Sequence, residues 1–88
     1  MTMAVVRVRG PLRKLAGDQA EHELEAGTVV ELLRELELRH PELGGWVLDE
    51  RGTIRRHINV FVNGEQGTAR TPVKPGDHVD VLPAITGG

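Results

Sequence analysis

Only one stretch of this chain carries the period of a helix, and that limits what the remainder can build. In "GTVVELLRELELRHP", Val29, Leu32, Leu33 and Leu36 recur at helical spacing and share one apolar stripe. Thr28 stands where an N-cap belongs, and Glu31 follows it as in a capping box. Glu35 and Arg39 form an i,i+4 pair, and Pro41 stops the helix at about His40. Leu38 lies off the stripe, so it is either exposed or covered by the segment that follows. A single amphipathic helix has one stripe to bury, and one face of one sheet is enough to bury it.

Much of the rest of the chain alternates with the period of strands. "MAVVRVR" puts Ala4, Val6 and Val8 on one face and Val5, Arg7 and Arg9 on the other. "GPLRKLAGD" reads as a connection, with Leu12 and Leu15 plugging the core edge. "AEHELEA" turns Ala20, His22, Leu24 and Ala26 inward and leaves Glu21, Glu23 and Glu25 to water. Across 41–56, Gly44, Gly45 and Gly52 interrupt any long element, and Leu43, Trp46, Val47 and Leu48 are expected to cap the core from a short helical turn. "HINVFVNG" sends Ile58, Val60 and Val62 one way and Asn59 and Phe61 the other, then ends on Asn63-Gly64, a favoured hairpin pair. "EQGTARTPV" holds a short or irregular return strand, "KPGD" is a turn with Pro75 and Gly76 at its centre, and "HVDVLP" is the last strand.

The order is strand, strand, helix, strand, short strand, strand. It predicts an α+β fold in which the first and last strands pair in parallel at the centre of the sheet. That is the β-grasp, or ubiquitin-like, roll: one mixed sheet of four to five strands packed on one main helix.

With 88 residues the chain is one domain, expected to bury about 60–65% of its unfolded surface. The only large aromatics are Trp46 and Phe61, so the core is built from Val, Leu and Ile. Cysteine and serine are absent, which excludes a disulfide framework, a thiolate metal site and a serine triad. His22, His40, His57 and His78 have no metal-ligand spacing, and no phosphate-binding glycine loop occurs. Residues 1–17 carry four basic groups and no acid, whereas residues 18–50 carry ten acids against Arg34 and Arg39. That asymmetry is ordinary solvated surface or a docking face for a partner of opposite sign. Nucleic acid is not expected as a partner, because there is neither a long basic stripe nor a run of aromatics for stacking. No apolar run reaches the ~18 residues of a membrane span, and the first residues lack a signal-peptide pattern. The expected location is the cytoplasm.

The sequence closes on "VLPAITGG", and Gly87-Gly88 is either a frayed end or the reactive group itself. Residues 1–83 are expected to form the domain and residues 84–88 a flexible tail. Pro83 removes a backbone donor and ends the sheet. Without Cβ atoms, Gly87 and Gly88 can thread a channel that a side chain would block. Ala84, Ile85 and Thr86 would lie along the partner's groove. A carboxylate is a poor electrophile. Adenylation by ATP turns it into a mixed anhydride that a sulfur donor or an amine can attack.

Four stretches, "VRVRGPLRKLAG", the helix 29–40, "INVFVNGE" and "PGDHVDVLPAITGG", together resemble the MoaD/ThiS family of ubiquitin-like sulfur carrier proteins. The resemblance covers essentially the whole chain, and the last stretch is its most specific part. It implies that Gly88 is adenylated by an ATP-dependent, E1-like activating enzyme and converted to a thiocarboxylate. It further implies that Gly87 threads the enzyme, that Pro83, Ala84, Ile85 and Thr86 bind partners, and that a downstream synthase accepts the sulfur. Phe61, on the outer face of its strand, is a docking candidate or an ordinary edge contact. The resemblance implies a carrier and co-substrate rather than an enzyme, with no bound cofactor or metal. Residues 41–56 with "RRHINVFVNGE" look like the cysteine-pathway and stand-alone carriers, whereas "RGPLRKLAG" looks like the small subunit of molybdopterin synthase. The thiamine pathway is a further possible destination. The alternative reading is a ubiquitin-like modifier joined through Gly88 to lysines of target proteins.

Overall fold

The computed structural model of the chain describes residues 3–25 and 27–83. Strand β1 (Met3–Val8) leads into a short helix α1 (Pro11–Leu15), then strands β2 (Glu21–Glu25) and β3 (Gly27–Thr28) and the main helix α2 (Val29–Arg39). A 3-10 turn at Pro41–Leu43 follows, and then strands β4 (Ile58–Val62), β5 (Glu65–Gln66), β6 (Pro72–Val73) and β7 (His78–Pro83). Five strands form one mixed sheet in the order β2-β1-β7-β4-β5, and β3 pairs with β6 as a separate two-stranded clip. As expected, β1 and β7 run parallel at the centre, in a register that sets Val6 opposite Val79 and Val8 opposite Val81. All the other pairs in the sheet are antiparallel.

The alternation read from the sequence decides which face is dry. Ala4, Val6, Val8, Leu24, Ile58, Val60, Val79 and Val81 are buried against the Val29, Leu32, Leu33 and Leu36 stripe of α2. The N-terminus of α2 is held twice over. Thr28 and Glu31 form the full capping box, with the Thr28 N–H donating to Glu31 Oε1 at 2.9 Å. The next two N–H groups, of Val29 and Val30, donate to the carbonyls of Thr71 (3.0 Å) and Ala69 (2.8 Å). The β3–β6 clip brings that segment within reach.

Besides the β3–β6 clip, which no sequence pattern announced, the structure differs from the sequence reading at three points. The stretch after β1 is not a plain connection, because Pro11 at its first turn starts a helical turn that buries Leu12. Trp46 does not cap the core: it is 53% exposed, while Leu43, Val47 and Leu48 fill the space beneath the helix. Gly45, at φ 86°, turns the chain so that the indole is left outside. Ala20 is exposed because β2 begins only at Glu21, and Ala20 contributes its carbonyl to the Val8 N–H instead. Ala26 lies outside the described residues. Leu38 takes the first of its two readings and is 76% exposed.

Candidate functional site

β7 is the element that matters most here, because it carries the chain from the middle of the sheet to Pro83. It is paired on both sides, with β1 through Val5–Val8 and with β4 through Ile58–Val62. Such a strand is fixed by two ladders, so whatever follows Pro83 starts from a rigid point. Pro83 lies opposite Ile58 in the register, and the Arg9 N–H donates to the carbonyl of Val81 at 3.0 Å. On the other flank sits Gly10, with φ 64° and ψ −145°, close enough that an added Cβ would lie 3.5 Å from Pro83 Cγ. Of the partner-binding residues expected from the sequence, Pro83 is thus placed at the exit of the central strand. Ala84, Ile85, Thr86, Gly87 and Gly88 lie outside the described residues.

The start of β7 is fixed equally firmly. Asn63 and Gly64 adopt φ 52° and 86°, the left-handed pair that a tight hairpin between β4 and β5 requires. The Asn63 amide then reaches across the fold. Its Nδ2 donates to Asp77 Oδ1 and its Oδ1 accepts from the His78 N–H, both at 2.9 Å. The other Asp77 oxygen accepts from the Lys74 N–H at 2.8 Å. These bonds, the Asn63 amide first, hold the Asp77 carboxyl below the usual carboxylate range.

Phe61 lies half-buried on the sheet face opposite α2. The register gives a complete row across that face: Glu21, Arg7, Asp80, Phe61 and Gln66. Leu82, also half-buried, is its diagonal neighbour one register step on. Ion pairs flank this apolar pair, Arg7 with Glu21 at 3.1 Å and Arg9 with Asp80 at 3.5 Å. Phe61 and Pro83 are carried by neighbouring strands but on opposite faces, since Pro83 pairs with the buried Ile58, and it is Leu82 that brings the outer face up to the exit of β7.

Sequence reasoning missed one local cluster. The rings of His22 and His40, far apart in the chain, meet edge to face with centroids 5.1 Å apart. His22 is buried and its Nε2 lies 2.9 Å from the Gln19 carbonyl, which can only accept, so Nε2 carries the proton. Burial pushes the His22 pKa down, and the charges of His40 and Arg39 act in the same direction. Inward alternation was the signal for His22, but no local pattern announces its meeting with His40. Among the described residues, no group of three His, Asp or Glu side chains is gathered as a metal site, and no helix is long and apolar enough to cross a membrane.

Comparison with known proteins places this geometry among relatives. The sequence pattern of the ThiS family matches residues 6–88. The sulfur carrier protein CysO of Mycobacterium tuberculosis is 29% identical over 83 residues, spanning 88% of this chain and 89% of that one. A chain in the crystal structure of the Amycolatopsis orientalis BexX/CysO complex superposes with a TM-score of 0.85 at 32% identity, covering 97% of this chain and 99% of that one. SAMP1 of Haloferax volcanii superposes with a TM-score of 0.85 at 27% identity, covering 98% of this chain and 99% of that one.

Proposed function

The chain belongs to the ThiS family and is a sulfur carrier of the β-grasp fold, and from that premise we propose that the sulfur is borne on the carboxylate of Gly88. The observation that carries this reading is the extent of the family match, which runs through Pro83 to Gly88 itself. The central position of β7 supports it. A strand clamped on both sides delivers the last residues from a rigid base, so a partner that grips the body also knows where the end begins.

The chemistry follows from the carboxylate. An E1-like activating enzyme would bind ATP, join the Gly88 carboxylate oxygen to the α-phosphorus and release pyrophosphate. A sulfur nucleophile then attacks the carbonyl carbon, the C–O bond to AMP breaks, and a thiocarboxylate remains. This chain supplies no catalytic group to either step: it is the co-substrate. Gly87 and Gly88 keep the end narrow enough to enter the enzyme. Pro83 to Thr86 contact the enzyme's channel, and Phe61 with Leu82 forms the docking surface beside it. A downstream synthase accepts the sulfur. The BexX/CysO complex supports a protein partner, and the CysO relatives favour the stand-alone carriers over a dedicated molybdopterin synthase subunit.

A second reading shares the activation step: attack by a lysine amine would make the chain a modifier, and the likeness to SAMP1 favours keeping it in view. One experiment separates the two. The protein purified from its native cells is weighed intact before and after incubation with ATP, sulfide and the activating enzyme. A carrier gains the mass difference between sulfur and oxygen. A modifier instead leaves Gly-Gly remnants on lysines of other proteins. Gly88→Ala should abolish or strongly slow the mass gain, and an unchanged yield in that variant would count against the Gly88 assignment.

A further inference from the structure

Away from Phe61 and its neighbours, the sheet edge opens into a groove. β5 is only two residues long and covers β4 at Phe61 and Val62. Gly67 adds one bond, its N–H to the Val60 carbonyl at 2.8 Å, and among the described residues no strand lies beside Ile58 on that side, where its N–H donates instead to the Arg55 carbonyl at 3.0 Å. The cleft there runs between residues 53–56 and 66–70, with Ile54, Ile58 and Val60 along its floor. Arg55, Arg56 and Arg70 line it, and no carboxylate does.

Those three arginines are also apart from the ion pairs of the fold. Among the described residues, the guanidinium–carboxylate pairs are made by Arg7, Arg9, Arg13 and Arg39. Arg55 Nε is buried and has no hydrogen-bond partner, an arrangement that leaves a donor of a charged group unsatisfied. The carboxylate whose charge couples to Arg55 is Asp49, but Asp49 Oδ1 already accepts from the Thr53 and Arg51 N–H groups, at 2.9 Å each, and Asp49 stands outside the groove. A groove with an apolar floor and three cations without anions among the described residues together define the missing partner chemically. It is extended, so that it lies along the groove between residues 53–56 and 66–70. It alternates apolar and acidic residues, so that one face meets the floor and the other meets the arginines.

We propose that this groove binds an extended acidic segment of a partner protein, with its apolar side chains on the Ile54, Ile58 and Val60 floor and its carboxylates on Arg55, Arg56 and Arg70. The register adds a consequence. Ile58 is the cross-strand neighbour of Pro83, so a partner held here also holds the root of the last residues, one strand away. The inference goes beyond the sulfur chemistry and stands whether or not Gly88 carries the sulfur.

The test uses the full chain and a fluorescein-labelled peptide alternating Val and Glu, read by anisotropy, with a Val/Gln peptide as control. Binding to the wild type should weaken as salt is raised, and should fall about tenfold or more for Arg55→Glu/Arg70→Glu and for the Val/Gln peptide. Arg13→Glu, outside the groove, should leave it unchanged. A Val/Arg peptide should bind the doubly reversed variant better than it binds the wild type. Circular dichroism of each variant separates lost binding from lost folding, and Arg56→Gln serves as a milder second variant. Equal loss in Arg13→Glu, or a single-stranded oligonucleotide bound as tightly as the acidic peptide, overturns the proposal in favour of a general affinity for polyanions. Self-association of the wild type that Arg55→Glu/Arg70→Glu abolishes overturns it in favour of a second copy, whose β2 glutamates would then be the occupant.

Discussion

Gly10 and Pro83 meet where the last strand leaves the sheet, with Gly10 in a backbone conformation (φ 64°, ψ −145°) that side chains hardly ever adopt. The contact leaves room, since an added Cβ would stand 3.5 Å from Pro83 Cγ, so the cost of a side chain here is conformational rather than steric. Gly10→Ala is expected to lower stability by about 1–3 kcal/mol, measured by urea denaturation. A midpoint equal to that of the wild type would mean that this backbone relaxes freely.

Asn63 ties the first hairpin turn to the start of β7, and its amide has no apolar substitute. Asn63→Ala should cost about 1–3 kcal/mol, from two lost hydrogen bonds and the poorer tolerance of alanine for φ 52°. The change also bears on acid stability. Asp77 has a lowered pKa in the fold, so its contribution is complete above its ordinary value of 3.8 and is lost as pH falls through the folded value. The wild type should therefore lose more stability between neutral pH and strong acid than Asn63→Ala does. Parallel acid curves would dissociate Asp77 from the Asn63 amide.

His22 gives a second, milder pH dependence. Its pKa in the fold is lowered, chiefly by burial, so the unfolded chain binds the proton more readily. Stability is then at its full value above the ordinary histidine pKa of 6.5 and declines as pH falls below it toward the folded value. His22→Leu should flatten that limb in chemical denaturation at neutral and mildly acidic pH, while leaving the acid limb of Asp77 in place. An unchanged limb would show that His22 does not produce it.

Leu36 and Leu38 are two positions apart on α2 and have opposite surroundings, 2% and 76% exposed. Leu36→Ala should cost about 2–5 kcal/mol, and Leu38→Ala should stay within ~0.5 kcal/mol of the wild type. Comparable losses at the two sites would show that Leu38 is covered in solution.

Phe61 and Leu82 provide the check on the docking surface. Under the proposed function, Phe61→Ala should raise the KM for the carrier in the activation reaction by about tenfold, with kcat much less affected. A drop in kcat at constant KM would place Phe61 outside the docking contact.

Much of this molecule was legible locally. Val29, Leu32, Leu33 and Leu36 show their helix by spacing, and Thr28 with Glu31 shows its start. Asn63-Gly64 and Pro75-Gly76 name their turns, because positive φ is cheap for few residues. The alternation of β1 and β2 assigned their faces. The same local logic misplaced Trp46 and Ala20. An apolar residue in a loop goes inward only if the core has room, and the core beneath α2 was already filled by Leu43, Val47 and Leu48.

The sequence by itself determined the main helix, the long strands with their apolar faces and the motif-bearing stretch with its two glycines, because periodicity, capping and turn chemistry act between residues a few positions apart. Tertiary structure alone decided what lies next to what. It clamped β7 between β1 and β4, set Gly10 beside Pro83, joined Phe61 to Leu82 on one outer face, brought His22 to His40, and left Arg55, Arg56 and Arg70 around one groove. These neighbours are distant along the chain. Their meeting depends on how a whole sheet closes over one helix, and no short stretch of sequence encodes that closure.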